Sequence, residues 1–299
     1  MATSSKRSRE KVKEIAHKGP DILAKCDICP RKCGVNRLGG ETGFCRIGRK
    51  AQVASYGPHH GEERPLVGTG GSGTVFFSGC NLSCQFCQNW DISQKARGRE
   101  MDSTGMAKIF MDLQDRGCHN INLVSPSHVV VQIAEALDEA LDMGLSLPIV
   151  YNTGGYDSLE TLRSLDGIVD IYMPDMKYSD PSVGSGLSRV EDYPEINRNA
   201  VKEMHRQVGD LKLDRRGIAT SGLIVRHLIL PSGLGGTSKI ARFLAEEVST
   251  DTYINVMGQY RPEYMAMECP GMDRRITEDE YRSAVEEVLR SGLHRLDTP

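Results

Sequence analysis

The feature that most limits what this chain can be is a group of three cysteines, Cys80, Cys84 and Cys87, spaced as CxxxCxxC. A structural zinc site or a four-cysteine iron–sulfur cluster uses four protein ligands, whereas three thiolates leave one metal position open for a substrate or cofactor. Three cysteines on one short loop can hold three irons of a [4Fe-4S] cluster and leave the fourth iron free. We therefore predict such a cluster; a structural zinc loop that borrows a distant fourth cysteine is the alternative.

A second group of cysteines lies near the amino terminus, in a segment interrupted by proline and glycine. Its members are Cys26, Cys29, Cys33 and Cys45. Tight turns let nearby thiolates converge on one ion, which predicts a second, closed metal site. The spacing does not distinguish zinc from an iron–sulfur centre, and reduced thiols packed in a small extension are the alternative. We expect the two other cysteines, Cys118 and Cys269, to be inert thiols.

The charge composition argues against nucleic acid as a partner. The 299 residues include 37 Lys and Arg against 40 Asp and Glu, a formal net charge of -3, so the chain carries no global basic field.

It has no long apolar run that would span a bilayer and no apolar segment typical of a secretory signal, which predicts a cytoplasmic protein without a membrane partner. Nine cysteines in a reducing compartment are more often metal ligands or buried thiols than disulfides.

Strands and helices alternate along most of the chain. The apolar pattern predicts strands at 74–78, 120–124, 147–151, 168–173, 223–230 and 253–256. It predicts helices at 104–116, 129–143, 194–208, 239–248 and 277–289, and a short helix that begins with Asp157 and Glu160 as a capping box. Six β/α units of this kind indicate an α/β fold with a parallel sheet and right-handed crossovers.

A parallel sheet of this type binds ligands at the carboxyl ends of its strands, so the residues that follow each predicted strand are candidates for a site. They are Cys80, Cys84 and Cys87 after the first strand, Ser125 to His128 after the second, Asn152 to Gly154 after the third, Asp175 to Lys177 after the fourth, and Gln259 and Tyr260 after the sixth. We expect all of them to face one mouth. The ionisable candidates for substrate binding are His128 and His227, with a hydrogen-bonded core position as the alternative for His227.

The triplet, with the aromatic Phe86 before its last cysteine, resembles the signature of the radical S-adenosylmethionine superfamily. Within that superfamily the chain is most similar to the pyruvate formate-lyase activating enzymes and to a group of uncharacterised iron–sulfur proteins named after them. The matching positions are Gly68, Gly70, Ser72, Phe76, Gly79, Cys80, Cys84, Cys87 and Asn89, together with the segments 151–156, 173–178, 227–231 and 255–262. The resemblance covers about residues 24–290 and includes the amino-terminal cysteines.

The resemblance implies a partial (β/α)6 barrel at 66–299, preceded by a Cys-rich extension at 1–65. It implies a [4Fe-4S] cluster on Cys80, Cys84 and Cys87 whose open iron binds S-adenosylmethionine, and a reductant such as flavodoxin or ferredoxin. The reduced cluster then cleaves the cofactor to a 5′-deoxyadenosyl radical, which abstracts hydrogen from a substrate. One interpretation of the substrate is a glycyl-radical enzyme; another is a different peptide or a small molecule. A non-enzymatic iron–sulfur electron carrier is the third interpretation, and the open metal position argues against it.

One segment departs from the activating enzymes. Where they carry Gly-Gly-Glu after the second strand, contacting the amino group of S-adenosylmethionine, this chain has Ser125-Pro126-Ser127-His128, so Ser127 or the backbone would accept from that ammonium. By position, Asp175 is expected to bind a ribose hydroxyl or a cation, and Lys177 the cofactor carboxylate or a substrate carbonyl. A structural salt bridge between the two is the alternative. The expected cofactor-binding residues are Phe86, Ser127, Asn152, Asp175, Lys177 and Gln259.

Overall fold

A mostly parallel sheet flanked by helices forms the centre of this protein, whose computed structural model describes residues 8–297. The strands are β1 (Ala51–His59), β2 (Ser72–Phe77), β3 (Arg99–Met101), β4 (Ile121–Val124), β5 (Ile149–Thr153), β6 (Ile171–Pro174), β7 (Lys212–Leu213), β8 (Ala219–Leu228), β9 (Tyr253–Met257) and β10 (Arg295–Asp297). The helices are α1 (Arg9–Ala24), α2 (Arg64–Val67), α3 (Trp90–Ser93), α4 (Ser103–Asp115), α5 (Val130–Asp142), α6 (Leu159–Ser164), α7 (Pro181–Ser188), α8 (Tyr193–Val208), α9 (Thr237–Glu247) and α10 (Glu278–Arg290).

The strands are joined in the order β10-β9-β8-β6-β5-β4-β2-β1-β3, with β7 attached to β8. All neighbours from β2 to β10 along this order are parallel, whereas β1 is antiparallel to both β2 and β3. In the part of the chain that the structure describes, the end strands β3 and β10 do not pair with each other, so the barrel stays open. The predicted fold class, an α/β partial barrel of six β/α units, is confirmed.

Burial explains why the central strands read as continuous apolar runs. Every residue of β5 and β6 is buried, as expected for parallel strands covered on both faces. Helices α4 and α5 bury one apolar face each against this sheet and against one another. No helix within residues 8–297 is both long and apolar enough to cross a bilayer.

The strand β1 and the helix α7 are not predicted by the apolar pattern. Gly57 and Pro58 interrupt the alternation of β1, which is held instead by its antiparallel pairing with β2. Two glycines weaken the helical pattern of α7, but Pro181 occupies its first turn and the Asp180 carboxylate caps it by accepting from the Ser182 backbone N–H at 2.8 Å. Both elements therefore depend on contacts that local periodicity does not report.

The predicted capping box at Asp157 is wrong. Ser158 is the N-cap of α6, and its hydroxyl accepts from the Thr161 backbone N–H. Asp157 lies one residue earlier and is buried, where its carboxylate accepts from the Tyr151 hydroxyl at 3.1 Å and the Thr153 hydroxyl at 2.7 Å. The carboxylate is used to satisfy buried hydroxyl groups, which is why it is not available to the helix end.

The amino-terminal segment packs closely on the sheet and its helices. Helix α1 lies against α5 so tightly that a Cβ on Gly19 would come within 2.6 Å of Val131 Cγ1. Strand β1 belongs to the main sheet, and α2 inserts Leu66 among buried residues of β5, β6 and β8. The division into an extension at 1–65 and a core at 66–299 stays a prediction.

Candidate functional site

A cavity of about 450 Å³ opens at the carboxyl ends of the strands. This volume lies within the range of pockets that bind small molecules and cofactors. The cavity brings together the predicted cysteines and every predicted cofactor-binding residue. Its lining includes Cys80, Cys84, Cys87, Phe86, Ser127, Asn152, Asp175, Lys177 and Gln259, and it also includes Glu62, His128 and Arg226. Residues far apart in the sequence therefore share one surface because their strands are neighbours.

The three-cysteine loop is held by contacts on both sides. The chain turns into it at Gly79, which has a φ of 77° and has no room for a side chain, because a Cβ there would lie 2.4 Å from the Cys45 carbonyl oxygen. Further along, the backbone N–H of Gln85 donates to the Leu187 carbonyl at 2.8 Å, and the Met265 N–H donates to the Gln85 carbonyl at 2.9 Å. The loop is therefore fixed at its start and in its middle.

Each thiol of the triplet has a polar neighbour. Cys80 Sγ accepts from the Leu82 backbone N–H at 3.4 Å, Cys84 Sγ lies 3.0 Å from Ser188 Oγ, and Cys87 Sγ lies 3.2 Å from Ser93 Oγ. An N–H or hydroxyl group beside each sulfur can donate to a thiolate.

Burial raises the pKa of the Cys80 thiol to about 12, with the neighbouring Cys84 adding to the effect. Burial also raises the pKa of the Cys84 thiol, which Lys177 opposes.

Three sulfurs in one cavity fit the donor chemistry of an iron–sulfur cluster, since iron binds thiolates and displaces their protons. Within residues 8–297 no group of three or more His, Cys, Asp or Glu side chains is arranged to hold a metal ion. The ligand set Cys80, Cys84 and Cys87 accordingly stays a prediction.

Asp175 lies between two cations in the wall of the cavity. Its Oδ2 is 2.5 Å from Lys177 Nζ, and its Oδ1 accepts from Arg226 Nε at 2.8 Å. Burial opposes ionisation of Asp175, but Arg226 and then Lys177 outweigh it, so the pKa of this carboxyl lies below its usual range. The salt bridge between Asp175 and Lys177, which is the alternative interpretation from the sequence, is present, and both residues also line the cavity.

The remaining predicted cofactor residues are held by their neighbours. Asn152 Oδ1 accepts from Arg226 at 2.7 Å, and Ser127 Oγ lies 3.0 Å from Thr153 Oγ1. The Thr153 hydroxyl also donates to Asp157 at 2.7 Å, so Ser127 belongs to a buried hydrogen-bond network in the cavity wall. Phe86 packs edge-on against Tyr178 and Tyr260, with ring centroids 6.3 and 6.0 Å apart.

The two histidines have structural partners. His227 is fully buried, and its Nδ1 donates to the Met176 carbonyl at 2.7 Å while its Nε2 lies 2.9 Å from the Thr237 hydroxyl. His128 lines the cavity, but its Nε2 donates to the Ser78 carbonyl at 2.8 Å. Burial lowers the pKa of His128 to about 4, so this ring is neutral at physiological pH. The core interpretation of His227 matches its surroundings.

Glu62 is a cavity residue that the sequence analysis missed. It precedes α2, in a segment that shows no periodicity, and only the return of this segment into the barrel places it in the cavity lining. Burial, then the adjacent Glu63, raises the pKa of Glu62 from 4.5 to about 7, while Arg226 opposes the shift. Glu63 is buried, and its Oε1 accepts from Asn255 Nδ2 at 3.1 Å.

Glu62→Gln should make the folded state less sensitive to pH. Because the folded-state pKa is raised, the native protein binds more protons than the unfolded chain between pH 4.5 and about 7, and wild-type stability falls as the pH rises through this window. The free energy of unfolding of the variant minus that of the wild type should therefore be about 1–3 kcal/mol larger at pH 8 than at pH 5. Urea unfolding at both values measures this, with the exposed Glu100→Gln as matched control. If wild type and variant change equally in free energy of unfolding between pH 5 and pH 8, the pKa of Glu62 is not raised in the folded protein.

The amino-terminal cysteines lie outside the cavity. Cys26, Cys29 and Cys45 are buried and Cys33 is exposed. The Cys45 carbonyl packs against Gly79, directly before the first cysteine of the triplet. Cys45 therefore lies beside the start of the triplet, although Cys45 and Cys80 are 35 positions apart in the sequence.

Comparisons with known proteins find a matching family and a relative of similar sequence. The profile of the family described as "4Fe-4S single cluster domain" matches residues 66–156, which include the triplet. The "Uncharacterized protein MJ0674" of Methanocaldococcus jannaschii is 35% identical over 283 residues, covering 91% of this chain and 77% of the relative. The family description names an iron–sulfur cluster, whereas the name of the relative states no activity.

Two solved structures have a similar fold. Streptococcus suis SuiB bound to S-adenosylmethionine has a TM-score of 0.50 at 11% identity, covering 74% of this chain and 48% of SuiB. The FeFe-hydrogenase maturase HydG from Carboxydothermus hydrogenoformans has a TM-score of 0.51 at 13% identity, covering 74% of this chain and 50% of HydG. The chain thus spans about half the length of these proteins, and what it shares with them is the open, mostly parallel α/β barrel.

Proposed function

This chain belongs to the same family as the uncharacterized protein MJ0674 of Methanocaldococcus jannaschii, and we propose that it is a radical S-adenosylmethionine enzyme. The observation that carries the proposal is the position of Cys80, Cys84 and Cys87, which all line one cavity at the strand ends and supply three thiols. The match to the 4Fe-4S domain family over these residues supports a cluster there. The shared fold with SuiB, which was solved bound to S-adenosylmethionine, supports this cofactor.

The three cysteines would hold a [4Fe-4S] cluster by three of its irons. When bound, this cluster with S-adenosylmethionine supplies a 5′-deoxyadenosyl radical for hydrogen abstraction. The chain's own residues would orient the cofactor. Lys177 offers a cation for its carboxylate, and Ser127 offers a lone pair for its ammonium group.

Asp175 and Arg226 would hold Lys177 in place rather than bind the cofactor themselves. Both oxygens of Asp175 already pair with cations, so its role is to fix the Lys177 ammonium and the Arg226 guanidinium. Such an arrangement is in place before the ligand arrives, which lowers the cost of ordering the site on binding. Asn152 belongs to the same network through its bond from Arg226.

For the substrate we propose a protein, with a glycyl-radical enzyme as the first candidate. Apolar side chains beside the cysteine loop support a protein partner: Trp90 stacks on Tyr264 at 5.5 Å, and Tyr264 and Met267 are 40% and 67% exposed. Exposed aromatic and Met side chains are typical of protein interfaces. Another peptide or a small molecule is the alternative. We also propose a cytoplasmic location and a reductant such as flavodoxin or ferredoxin.

Binding of S-adenosylmethionine to the cluster-loaded protein, measured by calorimetry, tests the proposal. Lys177→Met should weaken binding about ten- to a hundredfold, the effect of losing one charge-assisted hydrogen bond. The fold should tolerate this change, because Arg226 still pairs with Asp175. Lys95→Met is the matched control, since Lys95 lies near the loop, over the Trp90 ring, but outside the cavity lining. If wild-type protein with a full cluster shows no saturable binding, the proposal fails.

A further inference from the structure

The four amino-terminal cysteines form a compact group whose role the cavity does not explain. The Gly34 backbone N–H donates to the Cys26 carbonyl at 2.8 Å and the Lys32 N–H donates to the Cys29 carbonyl at 3.0 Å, which folds the first three cysteines into one turn. The chain reverses between them in a tight turn, with positive φ at Lys32 and Gly34. A Cβ on Gly43 would lie 2.8 Å from Cys33 Sγ, which shows how closely the second half of the segment folds over the first.

A backbone N–H group points at one sulfur atom of this group. The Phe44 N–H donates to Cys33 Sγ at 3.4 Å. A neutral thiol is a weak acceptor, whereas a metal-bound thiolate is a strong one. This donor suits a thiolate at Cys33 better than a thiol.

Arg37 supplies an independent observation. Its side chain is 2% exposed, its Nη2 lies 3.2 Å from Cys45 Sγ, and its Nε has no hydrogen-bond partner. Within residues 8–297 no carboxylate forms an ion pair with it; its other partner is the His128 carbonyl, at 2.8 Å from Nη1. A buried guanidinium without a counter-ion is costly, so the position requires a negative charge close to Cys45.

We infer that Cys26, Cys29, Cys33 and Cys45 bind one thiophilic metal centre and that Arg37 is its counter-ion. Because their thiols are not already arranged around a metal ion within residues 8–297, binding requires the cysteine side chains to turn toward one another. Four thiolates on a zinc ion or on a [4Fe-4S] cluster carry a net negative charge in either case, which balances the buried guanidinium. Binding requires the four thiols to give up their protons to solvent. This inference is independent of the proposed enzymatic function, since none of the four cysteines lines the cavity.

The centre also supports the neighbouring loop. Arg37 donates to the His128 carbonyl, and the His128 ring donates to the Ser78 carbonyl, two residues before Cys80. Arg31 Nε donates to the Asn81 carbonyl at 2.8 Å, just after Cys80. The metal centre would therefore fix the backbone on both sides of Cys80, and its loss should loosen the position of that ligand.

Metal analysis of a chain without the triplet tests the inference directly. In Cys80→Ala/Cys84→Ala/Cys87→Ala protein purified anaerobically, we expect about one zinc ion without sulfide, or about four irons with equal acid-labile sulfide, per chain. Adding Cys29→Ser and Cys33→Ser should remove this metal, whereas adding Cys118→Ser and Cys269→Ser should not. Equal metal content in the triple variant and the variant that also lacks Cys29 and Cys33 would overturn the inference.

Alkylation of the wild-type chain avoids any question of misfolded variants. Cys33 is exposed, so as a free thiol it should react with N-ethylmaleimide in the native protein. As a metal ligand it should stay unmodified until the metal is removed by a chelator, which mass spectrometry of the peptides reports. Stoichiometric modification of Cys33 with no loss of metal would show that it is not a ligand.

The counter-ion role of Arg37 has its own test. Arg37→Gln should weaken retention of the metal against a competing chelator about ten- to a hundredfold, and Arg37→Lys should restore part of it because the charge is kept. A purely structural role for the side chain would not separate Gln from Lys in this way. If both variants retain metal as firmly as the wild type, Arg37 is not the counter-ion.

Discussion

Cys84→Ala protein is expected to hold no [4Fe-4S] cluster at the triplet and to release no 5′-deoxyadenosine from S-adenosylmethionine. The proposed site has three protein ligands and no fourth to replace the one that is lost. Cys84 is buried beside Ser188 and among apolar side chains, and alanine removes only its sulfur atom, so the fold should stay intact. Iron, acid-labile sulfide and product are measured on protein reconstituted without oxygen.

Cys118→Ala is the matched control for this variant. Cys118 is as buried as Cys84 but belongs to neither cysteine group and does not line the cavity. Its replacement should leave cluster and product at the wild-type level. Wild-type iron and sulfide after replacement of Cys80, Cys84 and Cys87 together, in protein that also lacks the amino-terminal cysteines, would show that the cluster is bound elsewhere.

Asp175→Ala should destabilise the folded protein by about 3 kcal/mol, near the lower end of the range for breaking a buried ion pair. The change leaves two cations, Lys177 and Arg226, in the same wall of the cavity without their shared carboxylate. The three side chains are 15–18% exposed, which is why we expect the lower end of that range. Urea unfolding of the cluster-free chain at pH 7 measures the loss.

Two comparisons make this prediction specific. Adding Lys177→Met to Asp175→Ala should recover part of the stability, because one of the uncompensated cations is removed. Asp279→Ala, which breaks an exposed pair with Arg282, should change the free energy of unfolding by less than about 0.5 kcal/mol. Equal unfolding midpoints for Asp175→Ala and Asp279→Ala would mean that the Asp175 network does not support the fold.

The repeated β/α pattern could be predicted because buried parallel strands and amphipathic helices have clear apolar periods. The predicted strands at 120–124 and 253–256 match β4 and β9 closely. Strand β1 could not be found this way, since its Gly57 and Pro58 are tolerated only through pairing with β2. The cap of α6 was misassigned because the sequence does not show that Asp157 turns inward to two buried hydroxyl groups.

The predicted site residues could be chosen because each follows a strand, and strand ends meet at one mouth. Arg226 lies within β8 and Glu62 precedes the barrel, so this rule reports neither of them. Arg226 lines the cavity because its side chain points inward from β8. Glu62 lines it because the loop before α2 returns to the barrel. The buried charge of Arg37 was equally hidden, since nothing in its sequence neighbourhood distinguishes it from an exposed arginine.

The most direct test of the central claim is turnover of S-adenosylmethionine by the reduced protein alone. Cluster-loaded wild-type protein is reduced without oxygen and mixed with S-adenosylmethionine, and the products are quantified by mass spectrometry beside Cys84→Ala protein. We expect slow release of 5′-deoxyadenosine and methionine from the wild type, none from the variant, and a faster rate once a substrate is supplied. A full, reduced cluster whose electron paramagnetic resonance signal is unchanged by S-adenosylmethionine, and which yields no product, would contradict the radical-enzyme function and favour an electron carrier.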